Sequence, residues 1–187
     1  MLLKPSDSLK EAEKLGIPVP LWSFEPNIEP PAYVKADVAY PHKSDVGGVR
    51  RAETKEELLK YYQEIKERFG SAIVQKEVKG NLELLVSMKR DRVFGRVLVV
   101  ALGGLLASLL KESVVTSCPF CEEVFEKKIE GSRLGELLKG YRRIRVDKEC
   151  LFSVLEKLCS AEAETFEINP LLLAEGGCWA VDVKVWK

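Results

Sequence analysis

Glu167, Asn169 and Asp182 stand near the end of the 187-residue chain in a pattern that could hold a metal ion. In Glu167-Ile168-Asn169-Pro170, two-residue alternation along a strand puts Glu167 and Asn169 on one face and Ile168 on the other. A second carboxylate, Asp182, lies between Val181 and Val183 beyond a Glu175-Gly176-Gly177 turn. It is within reach of Asn169 if the two segments pair in a favourable register. Hard oxygen ligands of this kind suit Mg2+, which takes one or two protein carboxylates and completes its octahedron with phosphate and water. The alternative is a surface strand pair with solvated acids. An Asn between Ile and Pro inside a strand favours the metal.

A second group of candidates lies upstream. Ala32 to Val38 reads as a short strand that delivers Lys35 toward the loop Tyr40-Pro41-His42-Lys43-Ser44-Asp45-Val46-Gly47-Gly48-Val49. A proline, small polar residues and a glycine pair let that backbone approach a ligand closely. His42 is the only histidine of the chain, and on residue type alone it reads as structural or merely exposed. Cys118-Pro119-Phe120-Cys121 could be a redox pair or half of a zinc site, but nothing completes four zinc ligands. That leaves a structural disulfide or free thiols. Trp22, Trp179 and Trp186 read as packing residues rather than a nucleobase platform.

The elements that must position these residues alternate between helix and strand. Ser6 to Leu15 reads as a helix with Ser6 as N-cap and Gly16 just past its end. Ile17 to Pro31 is proline-rich and reads as an extended connector. Thr54 caps a helix on which Leu58, Leu59, Tyr62, Ile65 and Phe69 recur at helical spacing, and Gly70 stops it. Ala72 to Val78, Leu82 to Lys89 and Val97 to Leu102 read as an antiparallel meander. Helical periodicity returns in Cys121 to Ile129, Leu134 to Lys139 and Lys148 to Cys159, before a closing hairpin of Glu164 to Leu173 and Cys178 to Val185.

Composition excludes several classes. Lys plus Arg equals Asp plus Glu at 29 each, so no net field favours nucleic acid or an anionic membrane. No apolar stretch is long enough to span a bilayer, Val97 to Leu110 being interrupted by Gly103, Gly104 and Ser108, and the N-terminus lacks a signal-peptide core. The expectation is a cytoplasmic protein with a small ligand or a protein partner. Its five cysteines are expected to be free thiols, as in reducing compartments, with intracellular proteins of hyperthermophiles the known exception.

Several strings occur in one order: Pro41 to Val49, Arg90-Asp91 to Phe94-Gly95, Leu102-Gly103-Gly104, Leu137 to Arg142, Glu167 to Pro170, and Ala180-Val181-Asp182. In that order the chain resembles the beta subunit of ADP-forming acyl-CoA (acetyl-CoA) synthetase and, more distantly, that of succinyl-CoA synthetase. The resemblance implies an α+β ATP-grasp fold in which two lobes grip a nucleotide. Residues 1–31 would form an N-terminal helix and connector, 32–78 a trimmed first lobe, and 79–187 a second lobe with the Mg2+-binding hairpin. It implies ATP or ADP and Mg2+ as cofactors. Lys35 would contact nucleotide phosphates, with Gly47 and Gly48 in a flexible loop beside them. Gln75, Lys76, Glu77 and Val78 would receive the adenine, and Glu83 would line the same cleft. Asn169 and Asp182 would hold Mg2+, Glu167 would stand beside the phosphate-transfer site, and His42 would carry the phosphoryl group between two active sites.

The same comparison shows departures. An acid of the family pattern is Ser108 here, an arginine is Thr116, an arginine-glycine pair reads Arg142-Arg143, and the region from Pro20 to Lys35 is shortened. Two function classes follow. One is the nucleotide-binding half of a hetero-oligomeric ligase, whose CoA-binding alpha subunit is separate because these residues contain no CoA-binding motif; Leu105, Leu106, Leu109 and Leu110 would be candidates for its interface. The other is a degenerate ATP-grasp module with a regulatory or structural role.

Overall fold

The computed structural model describes residues 1–40, 44–104, 111–142 and 144–187. Helix α1 (Pro5–Lys14) begins at a proline, whose missing N–H costs nothing in a first helical turn. Ser6 lies inside this helix and is not its N-cap; Lys4 holds that position, without a side-chain cap bond. Gly16 follows with φ +71°, the left-handed geometry expected after a helix end. The proline-rich stretch is mostly extended, but Trp22 and Ser23, free of proline, form strand β1 (Trp22–Ser23). Helix α2 (Lys55–Phe69) is bounded as its sequence predicts: Thr54 accepts the N–H of Glu57, and Gly70 ends it at φ +83°. Leu58 and Ile65 are buried, whereas Leu59 faces solvent.

Strands β2 (Ala32–Ala36), β3 (Val49–Ala52) and β4 (Ala72–Lys76) complete a four-stranded antiparallel sheet with β1, in the order β1-β4-β2-β3. The expectation that Ala72 to Val78 opens a meander with the two strands after it is therefore overturned. β4 inserts between β1 and β2, because a short apolar run carries no mark of which edge it will join. β3 is absent from the sequence reading: Arg50 and Arg51 interrupt any alternation, as suits an edge strand. One face of this sheet packs Val34, Ala52 and Val74 with Leu58 and Ile65 of α2.

The larger sheet contains β5 (Leu82–Asp91), β6 (Gly95–Leu102), β7 (Ser113–Ser117), β8 (Thr165–Ala174), β9 (Gly177–Ala180) and β10 (Val183–Trp186). Its order is β10-β8-β5-β6-β7, with β9 also pairing β8. The meander is thus β5-β6-β7, its last strand unforeseen, and the final strand of the hairpin is split into β9 and β10 around Val181-Asp182. Helices α3 (Glu122–Ile129), α4 (Arg133–Leu138) and α5 (Lys148–Cys159) cover one face, where Phe125, Leu134, Leu151 and Leu155 meet Leu84, Val86, Leu98 and Ile168. Leu9 and Ala12 of α1 and Ile73 of β4 join that cluster.

The cysteines do not follow the free-thiol expectation. Cys118 is bonded to Cys159 and Cys150 to Cys178, while Cys121 is free and exposed. The Cys-x-x-Cys pair is divided, since Cys118 turns to the end of α5 and Cys121 stands at the head of α3. Among the described residues no helix is long and apolar enough to cross a membrane.

Candidate functional site

The chain passes from the small sheet to the large one between Lys76 and Leu82, and beside this crossing lies a cleft of about 370 Å³. Tyr33, Lys35 and Val49 line it from the small sheet, and Lys76, Glu77 and Val78 from the crossing. Glu83, Asn169 and Asp182 line it from the large sheet, with Pro170, Leu172 and Val181 between them.

Asn169 faces outward by alternation along β8, and an irregularity just after it turns Pro170 outward as well. The pairing of β8 with β5 shifts by one residue between Leu84 and Val86, so Ile168 and Leu171 both face the core while Asn169 and Pro170 are displaced outward. On the other side of β8 the register is continuous: Leu171 opposes Ala180 and Ile168 opposes Val183. Asn169 therefore stands opposite Asp182 and donates its N–H to the Asp182 carbonyl at 2.9 Å. Glu167 shares the outward side of β8 but does not line the cleft; it pairs with Lys184 at 3.7 Å.

Lys35 is 6% exposed. Its ammonium donates to Gln75 Oε1 at 2.5 Å and reaches across to the Val181 carbonyl at 3.0 Å, next to Asp182. Gln75 lies behind Lys35 rather than in the cleft lining, and its Nε2 is buried without a hydrogen-bond partner among the described residues. Gly47 and Gly48 are not in the lining either. Gly47, at φ +72°, donates its N–H to Ser44 O at 3.1 Å, and the Gly48 carbonyl accepts from Ala36 N–H at 2.7 Å. Ser44 of the same loop does line the cleft.

Glu83 is seated by glycines. Gly103 N–H donates to the Glu83 carbonyl at 2.8 Å, and a Cβ on Gly104 would fall 2.5 Å from Glu83 Oε2. Gly104 leaves the space that this carboxylate occupies, and Gly103 lets the two backbones approach. Glu77 is gripped by Arg51, with Nε to Oε1 at 2.7 Å and Nη2 to Oε2 at 2.9 Å, and it accepts the Tyr33 hydroxyl at 3.4 Å. The Arg51 guanidinium holds the Glu77 carboxyl below the usual carboxylate range. Burial, then the Glu77 charge, pushes the Tyr33 phenol up.

The donor set fits one magnesium ion. Among the described residues no cluster of three or more His, Cys, Asp or Glu could hold a metal. Asn169 and Asp182 offer an amide and a carboxylate side by side, the small protein share that Mg2+ takes when phosphate supplies the rest. His42, Ser108, the four leucines from Leu105 to Leu110, and Arg143 lie outside the described residues. Thr116 is buried opposite Leu98, on the core side of β7 and away from the cleft. Arg51 and Tyr33 were missed by the sequence reading. Alternation along β2 puts Tyr33 on the side of Lys35, whereas Arg51 carries no signal because residues 50–53 have no periodicity to assign them to a strand.

Residues 2–186 match the family profile described as an ATP-grasp domain. The chain belongs to the ATP-grasp family. Acetate–CoA ligase (ADP-forming) I of Archaeoglobus fulgidus is 27% identical over 206 aligned positions, covering 96% of this chain but 30% of that protein. The beta subunit of acetate–CoA ligase (ADP-forming) I of Pyrococcus furiosus is 26% identical, covering 94% of this chain and 88% of the subunit. Among solved structures, the dinucleotide-forming acetyl-coenzyme A synthetase 1 of Ca. Korarchaeum cryptofilum, in complex with coenzyme A and Mg-AMPPCP, superposes with a TM-score of 0.81. Its identity is 27%, over 97% of this chain and 91% of that one. In that structure a phosphohistidine segment points towards the nucleotide-binding site. The chain thus spans under a third of several of its relatives and nearly all of a separate beta subunit.

Proposed function

We propose that this chain is the nucleotide-binding part of an ADP-forming acyl-CoA synthetase, acting with a CoA-binding alpha partner in the cytoplasm. The reaction is acyl-CoA + ADP + phosphate ⇌ acid + CoA + ATP. The observation that carries the reading is the convergence of Lys35 from one sheet and the paired Asn169 and Asp182 from the other on a single cleft. In this reading residues 32–78 form the first lobe, 79–187 the second, and 1–31 lead into them.

Lys35 places a buried ammonium where nucleotide phosphates would lie, and at two of its contacts, the Gln75 amide and the Val181 carbonyl, the acceptor is a neutral group weaker than a phosphate oxygen. Asn169 and Asp182 would hold Mg2+, which when bound supplies charge neutralisation on the transferring phosphate. Lys76, Glu77 and Val78 meet the adenine end, with Gln75 fixing Lys35 from behind. Glu83 lines the far wall, Gly47 and Gly48 shape the loop carrying Ser44, and Glu167 stands beside the transfer site. His42 accepts the phosphoryl group on an imidazole nitrogen and carries it to the partner. Calorimetric titration with ADP and Mg2+ tests the reading: Mg2+-dependent saturable binding is expected, and no binding to the folded chain would refute it.

A second reading, a degenerate module without catalysis, is favoured by Thr116, which takes the place of a family arginine and is closed into the core side. Incubation with γ-labelled ATP, Mg2+ and the alpha subunit separates the two. Label lost in His42→Asn supports the ligase, and equal label in both chains excludes the carrier role.

A further inference from the structure

The Lys35–Val181 contact is accompanied by a second tie between the sheets. Asp37 follows β2 by one residue, is 3% exposed, and donates its own N–H to Ser71 O at 3.0 Å, so it is fixed to the small sheet. Its carboxylate accepts the Ser6 N–H at 2.8 Å and the Ser6 hydroxyl at 2.8 Å. Ser6 is the second residue of α1, and α1 rests on β10. Just before α1, Leu3 N–H donates to Val185 O at 2.9 Å and Leu2 bridges Trp186. Asp37 thereby links the strand that carries Lys35 to the strand that starts one residue after Asp182.

We infer that Asp37 is a positioning residue: by clamping the first turn of α1 it sets the spacing between Lys35 and the Asn169–Asp182 pair. The inference rests on the nucleotide-binding reading above and adds a residue outside the cleft lining. Its physics is that of a buried carboxylate facing a helix N-terminus, where the helix dipole and two charge-assisted bonds hold it. Removing the carboxylate leaves a buried N–H and hydroxyl without acceptors and loosens the first turn of α1, while the Trp22 Nε1–H to Glu13 bond at 3.0 Å and the packing of Ile73 against Leu9 and Ala12 still hold the rest of the helix to the small sheet. The Lys35–Val181 bond crosses the cleft itself, where a bound phosphate would compete for the ammonium, whereas the Asp37–Ser6 bonds lie outside the cleft lining. The consequence is selective. Groups that must be spanned from both sheets, the phosphates and their Mg2+, feel the spacing, whereas an adenosine held at the crossing does not.

The test compares the affinities of Mg-ADP and adenosine, the latter by displacement of a fluorescent ADP analogue, with thermal melting as the check of folding. Asp37→Ala is expected to weaken Mg-ADP about tenfold and leave adenosine unchanged. Asp37→Asn, which can still accept the N–H and can donate to the Ser6 hydroxyl, is expected to stay within about threefold of the parent. A folded Asp37→Ala chain with an unchanged ratio, or with both affinities falling together, overturns the inference. If Asp37→Ala does not fold, Ser6→Ala decides, a fall of about threefold in Mg-ADP alone supporting it and an unchanged ratio refuting it. Failure of the parent chain to bind Mg-ADP at all would instead refute the proposed function.

Discussion

Asn169 of β8 stands opposite Asp182 in the break between β9 and β10, joined by the Asn169 N–H to Asp182 carbonyl bond at 2.9 Å. Their side chains open on the same cleft, which is what a shared metal ion requires. Asp182→Asn removes the charge and keeps the shape. It is expected to weaken Mg-ADP binding about tenfold or more and to flatten its Mg2+ dependence, with Tm within about 2 °C of the parent. Calorimetry at several Mg2+ concentrations reads this, and an unaltered Mg2+ dependence would remove Asp182 from the ligand set.

Gly104 supports Glu83 through space rather than contact. Gly104→Ala meets two obstacles, a backbone at φ +57° and a Cβ 2.5 Å from Glu83 Oε2. Gly70→Ala meets the first alone, at φ +83° with nothing within 4 Å. Both variants should lose about 1 kcal/mol to the left-handed backbone. Only Gly104→Ala should also weaken nucleotide binding several-fold, as Glu83 is pushed from its seat. Equal affinities in the two variants would show that nucleotide binding does not depend on the carboxylate position that Gly104 allows.

The Arg51–Glu77 pair makes stability depend on acid. Because the folded-state pKa of Glu77 is lowered by Arg51, its contribution is present above the unfolded-state value of about 4.3. It is lost as pH falls through the folded value. The parent Tm should therefore drop more steeply between about pH 5 and pH 3 than that of Glu77→Gln. The variant should be the less stable at pH 7, and the two should converge in acid. Parallel melting curves across that range would contradict the assignment.

Cross-links join the ends of α5 to the body of the large sheet, with sequence separations of 41 and 28 residues. Loop closure alone gives each an upper bound of about 4 kcal/mol. Reductant is expected to lower Tm by several degrees. Thiol titration of the denatured chain should find one reactive cysteine without reductant and none in Cys121→Ser. Five thiols in the unreduced protein would exclude both bridges.

Neighbouring residues settle part of this protein between themselves. Thr54 and Gly70 bound α2 because a cap and a left-handed stop act within one turn. Glu167 and Asn169 share the outward side of β8 because alternation is local. The ordered motifs located the family, and with it the cleft residues Lys35, Glu83, Asn169 and Asp182. Tertiary structure alone decided the rest. β4 joins β2 rather than β5, Cys118 bonds Cys159 rather than Cys121, Arg51 grips Glu77, and Ser6 leaves the role of helix cap to receive Asp37 from 31 residues away. Each of these pairs residues distant in the chain, and their choice of partner is set by which surfaces must be buried together, a quantity that no short window of sequence contains.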